Sequence, residues 1–182
     1  SYLLSRISKF LFSRSSVEIY STHLKTKYYK IMEHFRVRNY TSADYPTLCL
    51  LDEPLFEGMG GYVLFRHIEE LFPSLFFVAE NAETHEIVGY ILGGIHFDDS
   101  KSGKLIRIGV KQSFQRIEVG TQLISALLAE MRKHGVEKVH LTVADTNVAA
   151  ISFYKKNGFV IRNKEEKYFY PDISRLILEK EL

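Results

Sequence analysis

The sequence predicts a mixed α/β domain, because segments with the period of a strand and segments with the period of a helix alternate from Phe35 to the C-terminus. Apolar and polar residues alternate from Phe35 to Tyr40, as in a half-buried strand. Apolar residues recur at three- and four-residue spacing from Leu123 to Met131, as on one face of a helix. The predicted order is β-α-α-β-β-β-α-β-α-β-β.

The first half of this domain is predicted from turn and cap residues that separate the apolar segments. Thr41 to Asp44 supply helix N-cap chemistry, the glycines between 58 and 61 separate two helices, and Pro73 ends the second. Asn81 to Thr84 form the polar turn of a hairpin. The predicted elements are strand 35–40, helices 45–51 and 62–71, and strands 75–79 and 87–92.

The second half begins after a polar turn at 98–103. Gly135 and Gly158 are placed to end its two helices, because a helix commonly stops at a glycine. The predicted elements are strand 105–110, helix 120–134, strand 139–143, helix 147–157, and strands 159–162 and 174–179.

Composition places the chain among single-domain soluble proteins. It has 182 residues, of which 46% are hydrophobic and 25% charged. A net charge of +2 is too small to indicate nucleic-acid binding. The single cysteine, Cys49, forms no intrachain disulfide and fits a reducing compartment. No apolar run approaches the roughly 18 residues that span a bilayer, so we expect a cytoplasmic protein without membrane or nucleic-acid partners.

Residues 1–33 differ in composition from the domain that follows. The first thirty contain six Lys and Arg residues but one acidic residue, Glu18. Three interpretations stay open: a structured, perhaps helical extension, a targeting segment, or translated sequence upstream of a start at Met32.

The connection between strand 105–110 and the long helix carries the candidate chemistry. A helix N-terminus leaves backbone N–H groups unpaired and attracts anions. Gly120 and Thr121 are small enough to let a bulky anion approach the backbone, and Lys111 and Arg116 add positive charge. Taken alone, the same residues also suit a plain strand-to-helix connection.

Two motifs resemble those of the GNAT acetyltransferase superfamily. Gln115 to Thr121 resembles its Q/R-x-x-G-x-G/A cofactor motif, and Asn147 to Phe159 is similar to its N-x-x-A-x-x-x-Y-x-x-x-G-F segment. The resemblance covers about residues 34–182. It implies the GNAT fold, a mixed, mostly antiparallel twisted sheet of six to seven strands flanked by about four helices, and acetyl-CoA as the cofactor. The cofactor-binding residues that it implies are Ile108, Gly109, Val110, Gln115, Arg116, Ile117, Glu118, Val119, Gly120, Thr121 and Asn147.

Glu118 departs from the family pattern, because it occupies the position where the superfamily usually has the first glycine. A carboxylate within about 5 Å of a pyrophosphate repels it by up to a few kcal/mol. We therefore expect this residue to weaken acetyl-CoA binding unless Arg116 offsets it.

The resemblance also implies catalytic residues for direct attack of an amine on the thioester. Tyr154 lies where the family has its general acid, with aromatic core packing as the alternative. Asn147 is a helix N-cap, a contact to the pantetheine arm, or both. Related enzymes have a Glu base on the fifth strand, where this chain has Thr142; His140, two residues earlier on the same face, is the candidate base. A water route or an amine that arrives deprotonated remains an alternative to His140.

The acceptor is the least determined part of the prediction. Lys167 to Asp172 resembles the aromatic connection that lines the peptide-amine site in ribosomal-protein alanine and protein N-terminal acetyltransferases, so Tyr168 and Tyr170 are candidate substrate-binding residues, or core aromatics. A peptide N-terminus is therefore the preferred acceptor, with a small amine or a non-catalytic acyl-CoA-binding module as alternatives. A homodimer stays open. Acidic residues at the cleft would favour a small amine, and the candidates by position are Glu53, Glu57, Asp98 and Asp99. The seven histidines lack paired metal-ligand spacing, so no metal is expected.

Overall fold

The computed structural model describes residues 35–56, 60–169 and 172–182. Within them, seven strands and four α-helices follow the predicted order. The strands are β1 (Phe35–Asn39), β2 (Phe76–Asn81), β3 (Ile87–Ile95), β4 (Ser102–Val110), β5 (Lys138–Ala144), β6 (Val160–Phe169) and β7 (Ile173–Glu181). The helices are α1 (Tyr45–Phe56), α2 (Gly61–Leu71), α3 (Val119–Lys133) and α4 (Val148–Lys156). The predicted extension, residues 1–33, lies outside the described residues.

The strands form one sheet in the order β1-β2-β3-β4-β5-β7-β6. Every neighbouring pair is antiparallel except β4 and β5, which run parallel. This sheet confirms the predicted fold class.

Each face of the sheet is covered by helices. Helix α3 packs its apolar stripe on one face, where Leu123, Leu127 and Met131 are fully buried. Helices α1 and α2 cover the other face through Leu48 and Phe65. Strand β3 is buried along nearly its whole length because it lies between these two layers.

The two central strands pair only at their beginning. Ser102, Gly103 and Lys104 of β4 lie beside Lys138, Val139 and His140 of β5. Beyond Lys104, β4 continues to Val110 and β5 to Ala144 with no further pairing between them. The sheet therefore opens between the two strands toward their carboxyl ends, and we call this gap the central opening.

Several elements are longer than predicted, and three of them matter for the site. Helix α1 continues to Phe56 although Pro54 lies within it. Strand β4 begins at Ser102 rather than Leu105, because Ser102 to Lys104 pair with β5. Strand β6 continues to Phe169, so Lys167 and Tyr168 lie within a strand and not in the expected connection.

The register of β6 against β7 shifts between Glu165 and Phe169. Three residues of β6 there oppose the single residue Ser174, and Lys167 adopts a φ of 55°. A bulge of this kind redirects side chains, and here it places Tyr168 toward β4.

Candidate active site

The central opening is lined by backbone groups that the neighbouring strands do not use. Lys111 N–H donates to the Val88 carbonyl at 2.8 Å, and alternate residues of an antiparallel strand direct their peptide groups to opposite sides. Gly109 and Arg107 therefore face β3, whereas the N–H groups of Ile108 and Val110 face the opening. These N–H groups are suited to hold a carbonyl oxygen.

The predicted cofactor loop connects the open end of β4 to α3. The Gln115 Nε2 donates to the Val110 carbonyl at 2.9 Å, which ties the loop to the end of the strand. Helix α3 begins at Val119, and no side chain caps its N-terminus. The first helical bond runs from Gln122 N–H to the Glu118 carbonyl, so Val119, Gly120 and Thr121 present N–H groups without helical acceptors. This arrangement fits an anion such as a pyrophosphate.

Glu118 has a left-handed backbone, with a φ of 71°. Glycine adopts this conformation without strain, but a residue with a Cβ atom does so at a cost of about 1–2 kcal/mol. The departure from the family pattern therefore has a backbone consequence as well as an electrostatic one. The Glu118 carboxylate lies 3.6 Å from the Lys156 ammonium group on α4, which offsets part of its charge.

Four other residues of the loop have the following surroundings. A Cβ atom on Gly120 would lie 2.8 Å from the ring of Phe153, so glycine lets α3 and α4 pack closely. Arg116 is exposed, with a φ of 64°. Ile117 is partly buried against the main core, and Val119 is buried within it.

Asn147 caps α4, since its Oδ1 accepts a hydrogen bond from Ala150 N–H at 3.0 Å. The N-cap role that the sequence offers is thus present. The residue lies just beyond the end of β5, so it also borders the central opening.

Tyr154 lies on α4 and belongs to the core on the α3 side of the sheet. Its side chain is 9% exposed and packs against Phe153 and Phe159. Burial raises the pKa of the Tyr154 phenol to about 12, although the charge of Arg175 acts in the other direction. The hydroxyl has no hydrogen-bond partner among the described residues. The phenol is therefore protonated at neutral pH and available to a ligand.

His140 lies where β4 and β5 separate, opposite Lys104. Burial lowers the pKa of its imidazole, and the nearby His96 and Lys104 lower it further. The His96 and His140 ring centroids are 4.9 Å apart. His140 is therefore neutral at pH 7 and can accept a proton. Thr142 lies two residues further along the strand, on the same face, and offers no basic group.

Tyr168 contacts the same region across the sheet, because the β6 bulge directs it toward β4. Its hydroxyl accepts a hydrogen bond from Lys104 Nζ at 3.1 Å. The other substrate-binding candidate, Tyr170, lies outside the described residues.

The sequence did not single out Lys104 or Arg175, which both line this face. Arg175 Nη2 donates to the Thr142 carbonyl at 3.1 Å. Neither residue belongs to a sequence motif, and both reach the opening only through strand pairing. Lys104 lies four residues before Ile108 on the same strand, and this spacing could have indicated its position. Recognising it requires a strand that begins at Ser102 and not at Leu105.

A buried ion pair supports the same strand from the α1 side. Asp52 of α1 accepts hydrogen bonds from Tyr90 and from Arg107 Nη1, the latter at 2.9 Å. The Asp52 and Arg107 side chains are only 4% and 11% exposed. Gly61 begins α2 beside this carboxylate, since a Cβ atom there would lie 1.8 Å from Asp52 Oδ2. This network fixes α1, α2 and β4 relative to one another.

Most of the acidic candidates for a small-amine site lie away from the opening or outside the described residues. Asp98 and Asp99 precede β4, at the end of the sheet where β4 and β5 still pair, and Asp99 accepts a hydrogen bond from Ser102 within that turn. Glu53 is exposed on α1, and Glu57 is not described.

A sheet that opens beside an uncapped helix N-terminus is the architecture that the two motifs imply for an acetyltransferase. Residues 34–159 match the acetyltransferase (GNAT) family. The chain belongs to this family. Membership confirms the predicted class of enzyme, an N-acetyltransferase that uses acetyl-CoA.

Relatives and solved structures agree with the family. The chain is 30% identical over 151 residues to an N-alpha-acetyltransferase of Sulfurisphaera tokodaii, covering 77% of this chain and 88% of the relative. The structure of Ard1 from Thermoplasma volcanium matches with a TM-score of 0.75 at 23% identity, covering 82% of this chain and 98% of that chain. Arabidopsis thaliana Naa50, solved with the bisubstrate analogue CoA-Ac-MVNAL, matches with a TM-score of 0.71 at 20% identity, covering 82% and 99%. The two solved structures bear on the fold alone.

Among the described residues, no helix is long and apolar enough to cross a membrane. The same part of the chain contains no group of three or more His, Cys, Asp or Glu side chains that could hold a metal ion.

Proposed function

We propose that the protein transfers the acetyl group of acetyl-CoA to the α-amine of a protein or peptide N-terminus, by direct attack of the amine. The observation that carries the proposal is the central opening, which has an uncapped helix N-terminus on one face and the side chains of Lys104, His140 and Tyr168 on the other. The similarity to an N-alpha-acetyltransferase over 77% of the chain supports this acceptor class.

On the α3 side, the backbone of residues 115–121 would hold the pyrophosphate, with N–H groups from the first turn of the helix. The side chain of Asn147 can contact the pantetheine arm while it caps α4, because its Oδ1 uses one of two lone pairs on Ala150. Acetyl-CoA supplies a thioester carbonyl that an amine can attack. The N–H groups of Val110 and Ile108 would hold the oxygen of that carbonyl as negative charge develops on it.

Tyr154 would assist the departure of the thiolate by donating a hydrogen bond. The sequence predicts that Tyr154 is a general acid, but its raised pKa makes it a weaker proton donor than an ordinary phenol. The pKa of this phenol, about 12, is higher than the ordinary thiol pKa of about 8.5. Complete proton transfer from Tyr154 to the thiolate is therefore unfavourable. The hydroxyl therefore stabilises the leaving sulfur, and the proton that the thiolate finally takes can come from the acylated amine or from water.

His140 is the candidate base. The acceptor would approach from the face opposite α3, where His140, Tyr168 and Lys104 lie together. A neutral imidazole can take the proton of an incoming ammonium group directly or through a water molecule. Tyr168, and Tyr170 beyond it, would supply hydroxyl groups and flat surface to the peptide backbone.

A cytoplasmic location is part of this proposal and rests on the single cysteine, which fits a reducing compartment. A homodimer is the assembly we would test first, by sedimentation of the purified chain over a range of concentrations.

The experiment that tests the function follows thiol release from acetyl-CoA with a panel of acceptors. Peptides with free N-termini are compared with the same peptides carrying a blocked N-terminus, and with polyamines, amino acids and aminoglycosides. Turnover of free peptides alone supports the proposal. Turnover of small amines alone contradicts it and favours a small-molecule acetyltransferase.

A further inference from the structure

Two cationic side chains border the acceptor face of the central opening and have no carboxylate partner within the part of the chain that the structure describes. Lys104 of β4 lies opposite His140, at the point where β4 and β5 separate. Arg175 of β7 lies opposite Ala144 at the end of β5, and its guanidinium reaches the Thr142 carbonyl, two residues beyond His140. Neither forms an ion pair with a described residue. Most of the other charged residues that the structure describes do form ion pairs, for example Lys101 with Glu137 and Lys164 with Asp145.

The guanidinium of Arg175 uses only part of its hydrogen-bonding capacity. Its Nη2 donates to the Thr142 carbonyl, whereas its Nε is buried and has no hydrogen-bond partner among the described residues. Burial lowers the pKa of the guanidinium, and the residues that act in the other direction are Tyr154 and Tyr168, not a carboxylate. A buried donor without an acceptor is costly, so this position is suited to an acceptor group that arrives with a ligand.

Lys104 is half-buried and donates to the Tyr168 hydroxyl at 3.1 Å. A neutral hydroxyl leaves its charge uncompensated. Tyr168 contacts Lys104 directly and lies close enough to Arg175 to influence the pKa of its guanidinium, and that guanidinium lies at the Thr142 carbonyl. The two cations therefore border the same face of the central opening.

The acidic residues on this face do not neutralise the pair. Glu179, opposite His140 on β7, is ion-paired with Arg162 at 3.1 Å. Glu165 is the cross-strand neighbour of Arg175, but it makes no ion pair within 4.0 Å of it. Asp52 is engaged by Arg107.

An acceptor amine is an ammonium group before it reacts, and two uncompensated cations would repel it. A carboxylate near the amine would reverse this effect by pairing with the cations. The cations would at the same time favour the neutral form of the amine, which is the form that attacks the thioester. We infer that the preferred acceptor carries a carboxylate next to its reacting amine, and that Lys104 and Arg175 bind this carboxylate.

Within the proposed function, on which this inference rests, the acceptor is a polypeptide whose first or second residue is Asp or Glu. The same chemistry is also present in a free amino acid, whose own carboxylate lies beside its amine. Both sources are compared in the experiment below.

The test measures kcat/KM with acetyl-CoA for amidated peptides that differ only in the first residue: Glu, Gln, Ser or Lys. Glu and Gln have the same shape, so their ratio isolates the charge. We expect Glu to be favoured over Gln by about tenfold or more, as for a charge-assisted contact, and the preference to shrink as salt is raised. Free glutamate and glutamine form the second arm.

Variants assign the preference to the two cations. Lys104→Met should lower the Glu-to-Gln ratio at least threefold, and Lys104→Glu should bring it below one and favour the peptide that begins with Lys. Arg175→Gln, combined with Lys104→Met, should abolish the preference. Lys133→Met is the matched control, because it removes the same charge from an exposed position at the end of α3 and should leave the ratio unchanged. Thermal melting and acetyl-CoA binding report whether each variant is folded.

The outcomes separate this inference from the proposed function. Equal turnover of Glu, Gln and Ser peptides by the wild-type enzyme overturns the inference while the function stands. If Lys104→Glu still prefers the peptide that begins with Glu, the carboxylate is recognised by other residues, and the inference is also overturned. Turnover of free glutamate without any peptide turnover supports the carboxylate site but contradicts the peptide acceptor.

Discussion

The Glu118 carboxylate lies 3.6 Å from the Lys156 ammonium group, across the gap between the cofactor loop and α4. This contact turns the acidic side chain toward α4, and the positive charge of Lys156 partly offsets the negative charge of Glu118 at the N-terminus of α3. It does not remove the left-handed backbone that Glu118 adopts in a position where the superfamily usually has glycine.

We predict that Glu118→Gly tightens acetyl-CoA binding by about three- to tenfold in calorimetry, because it removes the repulsion between the carboxylate and the pyrophosphate. The same change relieves the backbone strain, which should raise the stability of the fold with or without the cofactor. Glu118→Gln is the matched control, since it removes the charge and keeps the strained backbone. An affinity that is unchanged or weaker in Glu118→Gly would show that the glutamate is no handicap.

Tyr154→Phe should lower kcat by about 10- to 100-fold and change the affinity for acetyl-CoA little. The hydroxyl is the only group removed, and it has no hydrogen-bond partner among the described residues, so the fold should be retained. Tyr40→Phe serves as the control, because Tyr40 is equally buried but lies in the cluster under α1 and α2. Full kcat in Tyr154→Phe would exclude the hydroxyl from the reaction.

His140 should control the acidic limb of the pH profile. Burial is the largest effect on its imidazole and lowers the pKa from the ordinary 6.5. The imidazole is therefore neutral, and active as a base, at pH 6.5 and above. At saturating peptide, kcat should therefore fall only below about pH 6.5. His140→Gln should lower kcat at pH 8 at least tenfold and remove this limb. The control His134→Gln changes an exposed histidine, and it should keep both the kcat at pH 8 and the acidic limb of the profile. A pH profile that is unaltered in His140→Gln would favour a route in which water accepts the proton.

The buried pair between Asp52 and Arg107 should matter for stability more than any surface pair. Asp52→Asn removes the buried carboxylate that forms an ion pair with Arg107, so we expect the free energy of unfolding to fall by about 3–5 kcal/mol, measured by urea denaturation. Glu137→Gln breaks the exposed pair with Lys101 and should lower the free energy of unfolding far less, because solvent screens this pair. Equal losses in the two variants would contradict the role assigned to the Asp52 network.

The sequence was informative where the relevant contacts are local. The loop 115–121 and the cap at Asn147 lie within a few residues of the helices they serve, so spacing was enough to predict the helix starts and the order of elements. The acceptor face is different, because it depends on long-range pairing. Lys104 meets Tyr168 only because β4 pairs with β5 over three residues and a bulge redirects β6.

The left-handed conformation of Glu118 could be suspected from the motif, since glycine is usual there, but the contact with Lys156 could not. That contact requires α3 and α4 to pack closely, which the absence of a side chain at Gly120 allows. Asp52 is a comparable case. Nothing in the local sequence distinguishes it from the exposed Glu53 beside it, and only the arrangement of α1 over β3 and β4 buries it.

The most direct test of the proposed reaction is to incubate the protein with acetyl-CoA and a peptide that has a free N-terminus and an internal lysine, and to locate the acetyl group by fragmentation mass spectrometry. We predict acetylation of the α-nitrogen, with none at the lysine and none in a Tyr154→Phe, His140→Gln double variant over the same period. Acetylation of the lysine alone, or of neither amine while small amines are acetylated, would contradict the account.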